Sequence, residues 1–154
     1  MALKEAVELA KKGLSYAKRT KYKEALAYYN KALTLDPNYA EGLFLRASAL
    51  IESGRYMEGL ADCDKAISIN QNLSEAWSKK ALALFYLERI EDALAASTRA
   101  STLNANDVTA WYIKGVCLDE MGRGDEAQEA YGKSLELEII LDMHAEAKKI
   151  RYQR

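Results

Sequence analysis

The sequence predicts an all-α fold, a solenoid of four helix–turn–helix repeats followed by further helical residues. Two patterns indicate it: small residues recur with a period of 34, and apolar residues recur between them at helical spacing. With Ala6 as position 1, small residues occupy positions 8, 20 and 27 of every repeat. In that order they are Gly13, Ala47, Ala81 and Gly115; Ala25, Gly59, Ala93 and Ala127; and Ala32, Ala66, Ala100 and Ser134. Such columns indicate helices that approach too closely for a large side chain, so each repeat is expected to pack on the next.

The four repeats are predicted to span 6–39, 40–73, 74–107 and 108–141 within a single domain. Positions 4, 8 and 11 are spaced four and three apart, which places them on one stripe of a first helix. Positions 20, 24, 27 and 28 form the corresponding stripe of a second helix. Large apolar or aromatic residues fill positions 4 and 11, namely Leu9, Leu43, Trp77 and Trp111, then Tyr16, Leu50, Leu84 and Leu118.

The C-terminal residues 142–154 are also predicted to be helical, because neither glycine nor proline occurs between Gly132 and Arg154. Ile140, Met143, Ala147 and Ile150 form an apolar stripe there, at spacings of three, four and three. Two arrangements fit this stripe. A cap helix that folds back on repeat four is the favoured prediction, since it forms at any concentration. The missing helix breaker at 138–141 favours the alternative, one long helix whose stripe would be available to another copy.

The pattern resembles the tetratricopeptide repeat, which runs W-x2-L-G-x2-Y, then A-x3-F, then P. The resemblance covers residues 6 to 141 and is clearest from Tyr22 to Asn38 and in the stretches that begin at Trp77 and Trp111. It implies a right-handed superhelix in which the first helices line a concave groove for a peptide. Only the first repeat keeps the terminal proline, Pro37.

Composition restricts the class of protein. No apolar run reaches the ~18 residues of a membrane span, and the start lacks the apolar core of a signal peptide. A cytoplasmic protein without membrane insertion is therefore expected.

The charges are unevenly distributed along the sequence. The net charge is −1, but residues 1–39 carry eight basic and four acidic side chains, and residues 108–141 carry three basic and seven acidic ones. This asymmetry fits solvated helix faces, head-to-tail attraction between molecules, or a partner that lies along the array with a charge polarity of its own. Nucleic acid is not expected without a basic stripe along the whole domain.

Residues that could carry chemistry are sparse, so the chain is predicted not to be an enzyme. His144 is the one histidine and lies outside the repeats, and no nucleophile is predicted beside a base. Cys63 and Cys117 occupy different repeat positions and are interpreted as small buried apolar residues rather than as metal ligands. No metal or cofactor is expected.

The predicted functional surface is the concave groove, formed by positions 2, 5, 6, 9, 12 and 13 of each first helix. The residues selected for peptide binding are Ala10, Leu14, Phe44, Leu45, Ser48, Ser78, Lys79, Leu82, Phe85, Tyr112 and Val116. An exposed apolar patch of this size usually indicates an interaction site. The alternative is that the adjacent repeat partly buries positions 6 and 12, which would account for Leu45, Ile51, Phe85 and Ile113 without a ligand.

One subtype of the family is disfavoured. Tetratricopeptide co-chaperones grip acidic C-terminal tails with Lys and Asn side chains at fixed groove positions. Those positions here hold Ala10, Leu14, Leu45, Glu75 and Lys79, of which only Lys79 fits. The predicted function is a non-catalytic protein-interaction scaffold that binds an apolar or amphipathic peptide. The alternative is a self-assembling homo-oligomer that uses the C-terminal helix and the charge asymmetry.

Overall fold

The computed structural model describes residues 1–152, with side chains described as far as Lys149. Within that range the chain forms eight α-helices and no strand. They are α1 Ala2–Ala17, α2 Tyr22–Leu35, α3 Ala40–Glu52, α4 Tyr56–Ile69, α5 Ser74–Tyr86, α6 Ile90–Leu103, α7 Val108–Glu120 and α8 Gly124–Tyr152. The predicted all-α solenoid is confirmed. Helices α3, α5 and α7 each begin at position 1 of the register, whereas α1 begins earlier, at Ala2.

Contacts between helices define an inner and an outer side. Each first helix packs on the second helix of its own repeat, and each second helix packs on the next first helix. The first helices also contact one another, in the pairs α1–α3, α3–α5 and α5–α7. No two second helices are in contact over residues 1–152. The first helices therefore line the concave side of the solenoid, and the second helices form its outer side.

The columns of small residues lie where the helices cross. All twelve side chains at positions 8, 20 and 27 are buried, and nearly all of them are alanine or glycine. Ser134 is the one polar residue among the twelve, and its hydroxyl Oγ donates a hydrogen bond to the Val108 carbonyl oxygen at 3.1 Å. Since each crossing admits only a small residue, the repeats stack at close range and the groove has a fixed floor.

Every first helix is followed by a residue with left-handed backbone, at position 15 of the repeat. Gly54 and Gly122 have φ of 80° and 74° there, but Thr20 and Glu88 adopt φ of 59° and 60°. This conformation lets the next amide bond back to the helix, and it suits glycine because a Cβ crowds the following carbonyl oxygen. The threonine and glutamate therefore hold strained backbone.

Replacing Thr20 with glycine is expected to raise the free energy of unfolding by about 1 kcal/mol, because the left-handed strain is relieved. Thermal unfolding measures the change as a rise of roughly 2–4 °C for a chain of this size. Gly54→Thr, at the equivalent turn of repeat two, is the matched control and should lower stability by a similar amount. A Thr20→Gly variant that melts below the unchanged protein would show that the turn is not strained.

The second helices of the first three repeats end at a shared polar residue, at position 31. Asp36, Asn70 and Asn104 have extended backbone there, and each side-chain oxygen accepts the amide N–H two residues later, at 3.0–3.2 Å. This short-range bond competes with the helix and stops it. Repeat four has Glu138 at the same position, a better helix former, and α8 continues to Tyr152.

Over the described residues 142–152 the predicted cap helix is therefore wrong, and the long-helix alternative describes this part of the chain. Because nothing breaks α8 as far as Tyr152, these residues do not fold back on repeat four. Ile140, Met143 and Ala147 are exposed along the helix; the side chain of Ile150 lies outside the described residues.

A concave groove as the candidate functional site

The floor of the concave groove is formed by position 9 of the four first helices. Leu14, Ser48, Leu82 and Val116 occupy it, and each is half-buried. A half-buried side chain is held by its neighbours on one side and offers its other side to a ligand. Three of the four are apolar, so the line that crosses all four repeats is an apolar one.

Between α1 and α3 the groove opens into a depression of about 310 Å³. Leu14 and Ala17 line it from α1, and Leu45 and Ser48 line it from α3. The predicted residues Leu14, Leu45 and Ser48 are thus brought together. Lys18 and Glu52 also line the depression.

Tyrosines of the second helices also line the groove, which the sequence interpretation missed because it considered first helices alone. Tyr22 and Tyr29 of α2 line the depression between α1 and α3. Burial raises the pKa of Tyr29 to about 12. Tyr56, at the same position 17 as Tyr22, stacks on Tyr86 of the next repeat with ring centroids 4.7 Å apart. The signal that could have found Tyr22 and Tyr56 is the aromatic residue at position 17 of repeats one and two.

Aromatic side chains supply accessible apolar surface on the first helices. Tyr112 is 56% exposed and Tyr86 is 50% exposed. The Tyr112 ring lies 5.9 Å from that of Tyr131, at an interplanar angle of 51°. Phe44 and Phe85 are half-buried. A partly exposed aromatic side chain is a typical anchor for a protein partner.

Two of the predicted groove residues require correction. Ala10 is 1% exposed and Ser78 is 4% exposed, so neither offers surface to a ligand. Their side chains are too short to extend beyond the neighbours that pack over them; Ala10 lies in the cluster around Ala6 and Ala49.

The alternative prediction, that the adjacent repeat buries positions 6 and 12, is correct for two of its four residues. Ile51 and Ile113 are both 3% exposed. Leu45 and Phe85 stay half-buried.

Charges lie along the edges of the groove, at positions 2, 6 and 13. Repeats two to four carry exposed carboxylates there, at Glu41, Glu52, Glu75 and Glu120. Repeat one carries exposed Lys11 and Lys18 instead. Lys79 is half-buried in the third repeat. The groove is therefore acidic along most of its length and basic at one end.

The outer side carries two crevices at equivalent places of successive repeats, with volumes of 330 and 400 Å³. Basic residues at position 7 close them. Arg46 donates from Nε and Nη2 to both carboxylate oxygens of Asp62, at 2.7 and 2.8 Å, and from Nη1 to Asn30 at 3.1 Å. Lys80 pairs with Asp64 at 2.7 Å. The Lys80–Asp64 pair joins repeats two and three, and the bond from Arg46 to Asn30 joins repeats one and two.

The remaining candidate groups lie apart from the groove and from one another. Cys63 and Cys117 are buried free thiols, as the sequence predicts. Burial raises the pKa of Cys63 to about 12, helped by Asp64 and Asp62, and that of Cys117 to about 11. Thiols with such pKa values stay protonated and unreactive at neutral pH. His144 is exposed on α8. Over residues 1–152 no group of three or more metal-binding side chains assembles, and no helix is long and apolar enough to cross a membrane.

Comparison with sequence families gives a single result. Sequence models described as tetratricopeptide repeat match residues 4–39, 28–61 and 78–138, which together cover more than half of the chain. A comparison with curated protein sequences gave no significant match.

Solved structures similar to this chain include the first TPR of Spaghetti (RPAP3), bound to the HSP90 peptide SRMEEVD. It is 28% identical with a TM-score of 0.75, over 78% of this chain and 95% of that one. MamA 41-end from Desulfovibrio magneticus RS-1 is 21% identical with a TM-score of 0.76, over 89% and 77% of the two chains. TTC0263, a thermophilic TPR protein of Thermus thermophilus, is 19% identical with a TM-score of 0.78, over 86% and 74%. The last two likenesses are of fold alone.

Proposed function

Because this chain belongs to the tetratricopeptide repeat family, whose fold serves as a scaffold for protein–protein interaction, we propose that its concave groove binds a peptide segment of a partner protein through apolar contacts. One observation carries the proposal: the half-buried apolar column of Leu14, Leu82 and Val116 runs across the repeats beside the exposed Tyr112. Large apolar side chains on an open face are unfavourably exposed to water. An apolar ligand that covers them removes this surface from water, which favours binding. The protein performs no catalysis in this proposal.

The chemistry of the groove specifies the class of peptide. Apolar side chains of the peptide fit along position 9 and against Tyr112. The exposed glutamates at the edges of repeats two to four favour basic residues that flank those anchors, and Lys11 and Lys18 favour an acidic residue at the other end. Anchors that are buried on binding supply most of the affinity, and the edge charges set the direction in which the peptide lies.

An acidic C-terminal tail is a poor fit to this groove. The RPAP3 domain described above was solved with the acidic peptide SRMEEVD. In this chain Ala10 is buried, Leu14 and Leu45 are apolar, and Glu75 would repel a carboxylate. Lys79 is the single basic residue at the corresponding positions. We therefore propose that this groove does not bind SRMEEVD.

A random-peptide library displayed and selected on the full chain tests the proposal. The selected peptides are expected to share large apolar residues. Tyr112→Glu is expected to weaken their binding by about tenfold or more, because a charge replaces an interface aromatic. Met57→Glu is the matched control; Met57 is 64% exposed on α4 beside Glu58, which lines an outer crevice, so binding should not change.

The dependence of affinity on salt concentration distinguishes binding through apolar contacts from binding of an acidic tail by basic side chains. Affinity for the selected peptides should change little between low and moderate salt, since apolar contacts are not screened. Selection of acidic peptides, loss of binding with salt or with Lys79→Ala alone, or tight binding of SRMEEVD would each contradict the proposal. So would an equal effect of Tyr112→Glu and Met57→Glu.

A further inference from the structure

The depression between α1 and α3 contains a buried hydroxyl group that forms no hydrogen bond within the described protein. Tyr29 is 1% exposed and lines the depression from α2. Over residues 1–149, every side-chain nitrogen or oxygen that is closed off from solvent has a hydrogen-bond partner. No described residue bonds to the Tyr29 hydroxyl, so its oxygen is not closed off and reaches the depression that the side chain lines.

A second hydroxyl lies in the same depression. Ser48 of α3 is half-buried and lines the depression, and its Oγ forms no hydrogen bond to a described residue. Around the two hydroxyls the walls are apolar, and they include Leu14, Ala17 and Leu45. The depression therefore combines apolar walls with two oxygen atoms, each of which can donate and accept a hydrogen bond.

The later junctions between repeats do not reproduce this arrangement. The position of the buried tyrosine, position 24, is Cys63 in repeat two; in repeat three it is Ser97, whose hydroxyl donates to a backbone carbonyl at 3.0 Å. At the second junction the Tyr86 ring also stacks on Tyr56 at 4.7 Å, whereas the residue one repeat before Tyr86 is Glu52. Among the described residues, the first junction is therefore the one where a ligand can reach both a tyrosine and a serine hydroxyl.

Size and charge restrict what the depression can hold. Its volume of about 310 Å³ is at the small end for ligand pockets, which suits one large side chain. The charged residues that line it, Lys18 and Glu52, are exposed and opposite in sign, so their effects on a charge inside oppose each other. A charged side chain would lose its hydration there without a paired charge. The depression therefore favours a neutral occupant.

The two hydroxyls distinguish among neutral occupants. An aliphatic side chain would cover the hydroxyls of Tyr29 and Ser48 without bonding to them, which is unfavourable because they would lose access to water. An aromatic ring packs favourably beside the rings of Tyr22 and Tyr29. A ring that also carries an N–H or O–H group at its edge supplies the missing hydrogen bond.

We propose that the depression between α1 and α3 holds a tryptophan or tyrosine side chain of the bound peptide, whose N–H or O–H group hydrogen-bonds to the hydroxyls of Tyr29 and Ser48. This inference rests on the proposed function, since it names the residue that a groove-bound peptide inserts at the first junction. The indole N–H of tryptophan is a donor, so a protein hydroxyl accepts from it; the hydroxyl of a peptide tyrosine can donate and accept.

Peptides selected on the full chain from the random library test this proposal. They are expected to share a tryptophan or tyrosine at one position. Replacing that residue of a selected peptide with phenylalanine is expected to weaken binding to the unchanged protein about tenfold, because both hydroxyls are then covered without a partner. This comparison depends on no variant of the protein.

Variants of the protein assign the difference to the two hydroxyls. The double variant Tyr29→Phe, Ser48→Ala removes only the hydroxyl oxygens, and it is expected to bind the selected peptide and its phenylalanine derivative about equally. Tyr28→Phe is the matched control. It removes the hydroxyl of the neighbouring tyrosine, which stacks on Tyr16 and does not line the depression, so the tenfold difference should persist.

The outcomes separate this proposal from that of the groove. Selected peptides that share apolar residues but neither tryptophan nor tyrosine would overturn the present inference and leave the groove proposal standing. Equal binding of the two peptides by the unchanged protein would also overturn it, as would a difference that survives in the double variant or disappears in Tyr28→Phe. Failure to select any peptide would contradict the groove proposal itself, and this inference with it.

Discussion

Replacing Gly13 with alanine is expected to lower the free energy of unfolding by about 1–3 kcal/mol, although alanine is the better helix former. A Cβ at Gly13 would lie 2.6 and 2.8 Å from Cε1 and Cδ1 of Tyr29, and 3.1 Å from the Ala25 carbonyl oxygen. The Tyr29 ring cannot swing away to relieve this, because it is 1% exposed. Overpacking therefore outweighs the roughly 1 kcal/mol that helix propensity contributes in the other direction.

The sizes of the residues at positions 8 and 24 compensate each other in all four repeats. Position 8 is glycine where position 24 is tyrosine, as in Gly13 with Tyr29 and Gly115 with Tyr131. Position 8 is alanine where position 24 is small, as in repeats two and three, which have Cys63 and Ser97 at position 24. Gly13→Ala should thus cost much less in a Tyr29→Cys background, and a double-mutant cycle with chemical denaturation measures the coupling.

Gly132→Ala provides the control for propensity alone. No atom lies within 4 Å of the Cβ that alanine would add there, so this variant should be slightly more stable than the unchanged protein. If Gly13→Ala and Gly132→Ala stabilised the protein equally, position 8 would not be a close crossing and the packing described here would be wrong.

Replacing Asp62 with alanine is the second change expected to have a large effect, a loss of about 1.5–3 kcal/mol in the free energy of unfolding. Asp62 is 8% exposed and accepts two hydrogen bonds from the Arg46 guanidinium. This planar pair joins α3 to α4, and the bond from Arg46 to Asn30 extends it to α2 of the preceding repeat. The hydrogen bond to Asp62 raises the pKa of Arg46. Arginine is charged at neutral pH even without that bond, so Asp62→Ala leaves a partly buried charge without its partner.

Two further variants separate this pair from ordinary surface charges. Glu58→Ala removes the exposed partner of Arg55 and should leave the unfolding curve unchanged, because an exposed pair contributes little. Replacing both members, with Arg46→Met and Asp62→Leu, should recover much of the loss, since no buried charge then remains unpaired. Equal effects of Asp62→Ala and Glu58→Ala would contradict this account of the buried ion pair between α3 and α4.

The repeat architecture was predictable from the sequence because its determinants are local and periodic. The small residues at positions 8, 20 and 27 can be identified by spacing alone, and each lies at a helix crossing. The C-terminus was not predicted correctly. What decides it is a single side chain at position 31: Asp36, Asn70 and Asn104 stop their helices, and Glu138 does not. The expectation of a cap gave more weight to what a solenoid usually needs than to the missing helix breaker at 138–141.

The candidate groove was predicted less completely than the fold. Helical spacing indicates which residues point to the concave side, so the column that contains Leu82 and Val116 was found. Spacing does not indicate how deeply neighbours cover a side chain, so the buried Ala10 and Ser78 were included. Nor does it show which residues of another helix appear between two first helices, as Tyr22 and Tyr29 do. Both errors concern contacts between helices, which a pattern within one helix does not contain.

Methyl chemical-shift mapping by NMR, with a peptide selected on the chain, tests most directly the claim that the protein acts through its concave groove. The account predicts that the methyl resonances of Leu14, Leu82 and Val116 shift as the peptide is added. Those of Leu26 and Leu60, which line the outer crevices, should stay in place. Shifts confined to Leu26 and Leu60, with Leu14, Leu82 and Val116 unchanged, would place binding on the outer side and contradict the account.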